Sequence, residues 1–168
     1  MSLLAVGTLA FDDIETPYGR ADMIVGGSCT YIALAASYYT RPVQIVSVIG
    51  DDFPEDEMHY LRKRGPDLGG VETKEGQKSF FWAGRYHDDM IGRDTLDTQL
   101  NVLAEFDPKL PENFQTTDFV MLGNLTPAIQ SQVIDQMTEK PKLIALDTMN
   151  FWMDNALDEL LQVLKRID

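Results

Sequence analysis

Cysteine is nearly absent from this 168-residue chain: Cys29 stands alone, which excludes an internal disulfide framework and a cysteine-based zinc cluster and fits a reducing compartment. Histidine is scarce as well. His59 and His87 sit far apart, one in a charged stretch and one in a polar one, and both read as surface residues, not metal ligands. Basic residues are outnumbered, 14 Lys plus Arg against 27 Asp plus Glu, a formal charge of −13. That excess repels phosphate backbones and anionic lipid, so neither nucleic acid nor a membrane is an expected partner of the whole protein, although local basic spots are compatible with it. No apolar run approaches the ~20 residues that span a bilayer. Met1-Ser2-Leu3-Leu4 carries no basic stretch of the kind that opens a signal peptide, and a cytoplasmic location is expected. No G-x-x-x-x-G-K-[ST] segment occurs, which excludes a P-loop, and no G-x-G-x-x-G follows an early apolar run, which leaves a dinucleotide-binding turn unsupported.

What is present is a domain-sized chain with 44% apolar residues, long enough to bury roughly two-thirds of its unfolded surface without disulfides or structural metals. Four short apolar runs end in small or polar residues: Leu3 to Val6 before Gly7-Thr8, Val43 to Ile49 before Gly50-Asp51-Asp52, Phe119 to Leu122 before Gly123-Asn124, and Leu143 to Leu146 before Asp147-Thr148. Each reads as a buried strand that empties into a polar loop. Between them lie helical stretches: Ser28 to Tyr39 with Ser28 as N-cap, Pro54 to Arg64 with acids at its start and bases at its end, Pro127 to Met137, and Asn155 to Ile167. Alternating strands and helices predict an α/β fold, a mostly parallel sheet flanked by helices. No further strand follows the last helix, so the sheet reads as unfinished.

The middle of the chain breaks that rhythm. Ser79 to Tyr86 places Phe80, Trp82 and Tyr86 at period two, and Gln99 to Phe106 does so with Leu100, Val102, Ala104 and Phe106, although Leu96, Leu100 and Leu103 also fit a helix. Strands are the reading for both. The predicted division is a body of residues 1–71 and 108–168 with a small inserted β lid, residues 72–107.

Three segments carry potential chemistry. Gly7 to Asp13 lies at a strand end, where ligands of open α/β sheets bind, and a carboxylate such as Asp12 can accept hydrogen bonds from neighbouring hydroxyls of a polyol or can simply cap a turn. Gly26-Gly27 before a helix lets a ligand approach the backbone and its free N–H groups, or makes a tight turn. Gly50-Asp51-Asp52 reads as a solvated helix start. Cys29 has no histidine near it in sequence and reads as a small core residue.

In this order the motifs resemble the ribokinase-like, or PfkB, carbohydrate kinases: Gly7 with Asp12, Gly26-Gly27 opening a helix, Gly50-Asp51-Asp52, a β lid, then Asn124 and Asp147-Thr148-Met149-Asn150. The resemblance implies a body with a lid closing over a sugar or nucleoside that ATP phosphorylates. It assigns Asp12, Gly26, Gly27, Tyr31, Trp82 and Asn124 to substrate, with Tyr31 standing where the family often has Asn. Asp147 and Asn150 are assigned to phosphate or Mg2+. The family's Gly-Ala-Gly-Asp segment, with its anion hole and catalytic aspartate, has no counterpart up to Asp168, so only the N-terminal, substrate-binding part is matched and no catalytic residue is assigned. ATP and Mg2+ are then cofactors of a longer parent, neither binding well to this chain alone. The other readings are a non-catalytic sugar-binding or interaction module of the same fold and a Rossmann-type oxidoreductase. Phe11, Phe80, Trp82 and Tyr86 are available to stack on a base or sugar, or to pack the lid. An uncovered lid and an open sheet edge predict a homodimer.

Overall fold

The computed structural model describes residues 1–168. Five parallel strands form the main sheet: β1 (Leu3–Val6), β4 (Val43–Gly50), β5 (Pro66–Lys74), β8 (Phe119–Leu122) and β9 (Leu143–Leu146), in the order β5-β4-β1-β8-β9. A second sheet of four strands has the order β3-β2-β6-β7, from β2 (Ala10–Thr16), β3 (Gly19–Gly26), β6 (Phe80–Tyr86) and β7 (Arg93–Gln99). Five helices complete the chain: α1 (Ser28–Ala36), α2 (Glu55–Arg64), α3 (Pro127–Asp135), α4 (Asn150–Asn155) and α5 (Leu157–Leu164).

Side chains alternate across the strands, so each buried run feeds two cores. Leu4, Val6, Val46, Val48, Val120 and Leu122 point to one face, where Phe114 and Val133 cover them. Ala5, Val43, Ile45 and Ile49 point to the other, against Cys29 and Ala33 of α1 and Met58 and Leu61 of α2. Phe11 carries the second core onto the lid, its ring 5.4 Å from that of Phe53. Fully burying one such side chain stabilises the fold by about 1.5–3 kcal/mol.

Local signals fix the helix ends. Pro54 precedes α2, Glu55, Asp56 and Glu57 fill its first turn, Arg62, Lys63 and Arg64 its last, and Gly65 ends it at φ 111°. The Thr126 hydroxyl accepts from the Ile129 N–H at the start of α3. At the outer edge of β9, Asp168 N–H donates to the Ile144 carbonyl (3.1 Å) and Ile144 N–H donates to the Asp168 carboxylate (3.0 Å).

Four features differ from the sequence reading. The lid sheet takes half its strands from residues 10–26, because β2 and β3 form an antiparallel hairpin that β6 joins in parallel. β5 follows directly after Gly65, in a stretch where the sequence shows no apolar run to mark a strand. Residues 101–105 form a 3-10 turn in place of the second lid strand, with Val102 buried in the core. Ser28 is the first residue of α1 and not its cap; Gly27 occupies the cap position with no side-chain bond.

Candidate functional site

The strand ends β1, β4 and β8 and the start of α1 converge beneath the base of the lid. Thr8 and Ser28 tie β1 to α1 reciprocally: Thr8 N–H donates to Ser28 Oγ (3.2 Å) and Ser28 N–H donates to Thr8 Oγ1 (3.1 Å). Cys29 N–H donates to the Thr8 carbonyl at 2.9 Å. Two of the donors that open α1 are therefore taken by Thr8. Gly7 and Gly123 flank Ser28 so closely that a side chain at either would collide with its hydroxyl.

Three residues that the sequence singles out, Asp12, Gly26 and Gly27, do meet. The hairpin register sets Asp12 opposite Ile24, and its side chain lies over Gly26, where a Cβ would overlap the carboxyl oxygen Oδ2. Gly27 adopts φ 90°, with the Thr8 carbonyl in the space a Cβ would need. The close approaches that require both glycines are thus made by the chain's own groups. Burial pushes the Asp12 carboxyl above the ordinary carboxylate value, and the Gly27 amide pulls against that shift.

Trp82 is the register partner of Asp12 in the neighbouring strand, so both stand on one face of the lid, while Phe11, Val25 and Phe81 occupy the face that packs on the core. The indole lies along β6 over Gly84, and its Nε1 donates to Thr95 Oγ1 at 3.3 Å. It therefore covers Gly84, while Asp12 is half-buried over Gly26. Tyr31 is 60% exposed on α1, free of any tertiary hydrogen bond.

Asn124 sits at the end of β8 with its carboxamide already engaged. Trp152 Nε1 donates to its Oδ1 (2.8 Å), and its Nδ2 donates to Met149 Sδ (3.0 Å), which fastens α4 across the strand ends. Asp147 and Asn150 are exposed on the loop after β9 and at the first residue of α4. No three His, Cys, Asp or Glu side chains converge to hold a metal.

Sequence reasoning missed the role of Asp52. Its Oδ1 accepts from both Ser79 N–H (2.8 Å) and Ser79 Oγ–H (2.7 Å), and Ser79 Oγ accepts from Gly50 N–H (3.0 Å). Asn101 Nδ2 donates to the Ser79 carbonyl at 2.8 Å. The Gly50-Asp51-Asp52 segment is therefore a fastening between the body and the strand that enters the lid. Its only sequence trace is a polar serine ahead of an aromatic strand.

No family model matches the chain. Over 172 aligned positions it is 22% identical to a cytidine kinase of Thermococcus kodakarensis, covering 100% of this chain and 60% of that protein. Its structure is similar to that of the Methanocaldococcus jannaschii nucleoside kinase, an archaeal member of the ribokinase family: the TM-score is 0.75 at 14% identity, covering 99% of this chain and 58% of that one. A putative ribokinase II from E. coli in complex with ATP and Mg2+ gives a TM-score of 0.71 at 13% identity, covering 97% and 57%. The chain has the ribokinase-like fold that its motifs implied, a mostly parallel sheet flanked by helices with a β lid. It spans about three-fifths of the length of the proteins it matches.

Proposed function

We propose that this chain is the acceptor-binding part of an ATP-dependent kinase that phosphorylates a hydroxyl of a sugar or nucleoside. The observation that carries the reading is the half-buried Asp12 carboxylate, held over Gly26 at the base of a lid and on the same lid face as Trp82. An ionised carboxylate accepts two hydroxyl hydrogen bonds side by side, which matches a vicinal diol. Trp82 and Ile24, on the same lid face, supply apolar surface for a ring. Similarity to nucleoside and cytidine kinases supports the substrate class.

Phosphoryl transfer also needs cations and donors around the transferred group and a base for the acceptor hydroxyl. Asp147 and Asn150, exposed after β9 and at the start of α4, are in this reading the residues that would approach a phosphate or its Mg2+. In this reading the chain alone binds acceptor and does not transfer phosphate, and the ATP-handling groups belong to a longer parent. Pairing of two copies through the lid or the β9 edge is part of the same proposal, checked by sedimentation at micromolar concentration.

Calorimetry with ribose, hexoses, inositols and nucleosides including cytidine tests the site. Binding by one class, weakened by about 1.5–3 kcal/mol in Asp12→Ala, is expected. Indifference of the folded protein to the whole panel would overturn the reading.

A further inference from the structure

The densest group of cations lies at the other end of the body from Asp12. Arg41 precedes β4 and Arg62, Lys63 and Arg64 close α2 just before β5, so four of the 14 basic residues gather at the amino-terminal ends of two parallel strands. Arg20, Arg62, Lys74, Arg85, Lys142 and Arg166 each hold a carboxylate. Arg41, Lys63 and Arg64 hold none; Lys78, Arg93, Lys109, Lys140 and Lys165 hold none either, but they are scattered along the chain, whereas these three gather at one corner.

Uncharged groups hold the two arginines in place instead. Arg41 lies against Gly65, within 3.1–3.3 Å of where a Cβ would stand, and its Nη2 donates to the Arg64 carbonyl at 3.4 Å. Arg64 donates from Nη1 to the Tyr38 hydroxyl (3.2 Å) and stacks over the Tyr60 ring, 5.0 Å from its centroid. The dipole of α2 accounts for Lys63 and Arg64, but not for Arg41, which is outside the helix. Nor does it account for the tyrosines around them: Tyr38, Tyr39 and Tyr60 are 73%, 89% and 42% exposed.

Fixed guanidiniums beside exposed tyrosines are the composition of protein interfaces, where Arg and Tyr are enriched at the centre of binding. Charges farther than about 8 Å are screened at physiological ionic strength, so a docking partner meets these local cations and not the net −13. We propose that this corner docks an acidic segment of another protein, with carboxylates on Arg41 and Arg64 and an aromatic or aliphatic side chain against the tyrosines. A nucleic-acid strand is the poorer fit, because it needs a longer cationic track than these few residues offer.

The probe is a fluorescein-labelled Glu-Asp-Glu-Phe-Glu-Asp peptide, followed by anisotropy at physiological ionic strength, where the net charge is screened, and by amide chemical shifts of the full chain. Saturable binding is expected, with shifts at Tyr38, Tyr60 and Gly65, weakened about tenfold or more in Arg41→Glu/Arg64→Glu and unchanged in Asp12→Ala. Should that double variant not fold, Tyr39→Ala, at the most exposed ring, is expected to weaken binding several-fold. Equal binding by the folded variants, shifts elsewhere, or tighter occupation of this corner by oligodeoxythymidine or inorganic phosphate would each overturn the proposal.

Discussion

Asp52 and Ser79, 27 residues apart, are joined by two hydrogen bonds to one carboxylate oxygen, and through them the loop after β4 grips the strand that enters the lid. Ser79 is almost wholly buried, so removing the carboxylate leaves its amide and hydroxyl protons without their acceptor, although its oxygen still accepts from Gly50 N–H. Asp52→Ala is expected to destabilise the fold by about 1–3 kcal/mol in urea unfolding. Amide exchange should quicken first in β6 and β7 while β1 and β8 stay protected. Uniform loss of protection would show that the contact serves the whole fold and not the lid.

Gly26 and Asp12 are expected to behave as one unit. A methyl group at Gly26 must displace the carboxyl that lies over it, so Gly26→Ala should destabilise by about 1–3 kcal/mol. Much of that cost should vanish when Asp12 is already alanine, because the colliding atoms are gone. A double-mutant cycle measures the coupling, and additive effects would contradict the geometry.

Acid titration distinguishes two aspartates shifted in opposite directions, Asp12 and Asp118. Burial raises the Asp12 carboxyl above 3.8, so the folded chain binds that proton more readily than the unfolded one. Its stabilising contribution is complete below the unfolded value and is lost as pH rises through the folded one. The stability of Asp12→Asn relative to the parent should therefore improve as pH rises through that range and then level off. Acceptor binding runs the other way and should fade on acidification, since the protonated acid loses its charge.

Asp118 shows the opposite sign. The Lys142 ammonium, 2.7 Å away, and the Ser2 N–H, at 2.8 Å, hold its carboxyl down to about 2. Its contribution is present above the unfolded value of 3.8 and lost as pH falls toward about 2. Asp118→Asn should flatten the acid limb of the stability profile in that interval, and an unchanged limb would remove the ion pair from the account.

Asn124→Ala takes the acceptor away from Trp152 and releases α4. A loss of about 0.5–1.5 kcal/mol is expected. A red shift of Trp152 emission, read in a Trp82→Phe background, should accompany it. Unshifted emission would mean that α4 is held by other contacts.

Sequence reading recovered β1, β4, β8 and β9, whose short apolar runs belong to the parallel sheet, and β6, whose Phe80, Trp82 and Tyr86 alternate along a lid strand. β5 begins at a proline, contains Gly69-Gly70 and carries Asp67, Glu72 and Lys74, so its edge position erases the hydrophobic signal. β2 carries Asp12, Asp13 and Glu15, and β3 carries Arg20 and Asp22 between two glycines, because the lid is largely solvated, and they read as loop. The 3-10 turn at 101–105 illustrates the ambiguity of a short apolar stretch: Val102 is buried by packing, whichever period its neighbours suggest. At the site, residue types marked Asp12 and the glycine pair, but their meeting depends on the register of a hairpin that the sequence pattern did not disclose. The engagement of Asn124 by Trp152 and Met149 was hidden for the same reason, since 25 to 28 residues separate the partners.

The turn from β3 into α1 is short enough to act as a lever. Gly26 is the last residue of a lid strand and Ser28 the first of a body helix, leaving Gly27 alone between them. With Ser28 pinned to Thr8 on one side and Gly26 pressed beneath Asp12 on the other, a tilt of the lid cannot be absorbed by slack in this connection. It must instead rotate the Gly27 backbone or drag the opening turn of α1. A molecule closing the lid over Asp12 would announce itself at the far side of that joint, in the buried core around Cys29.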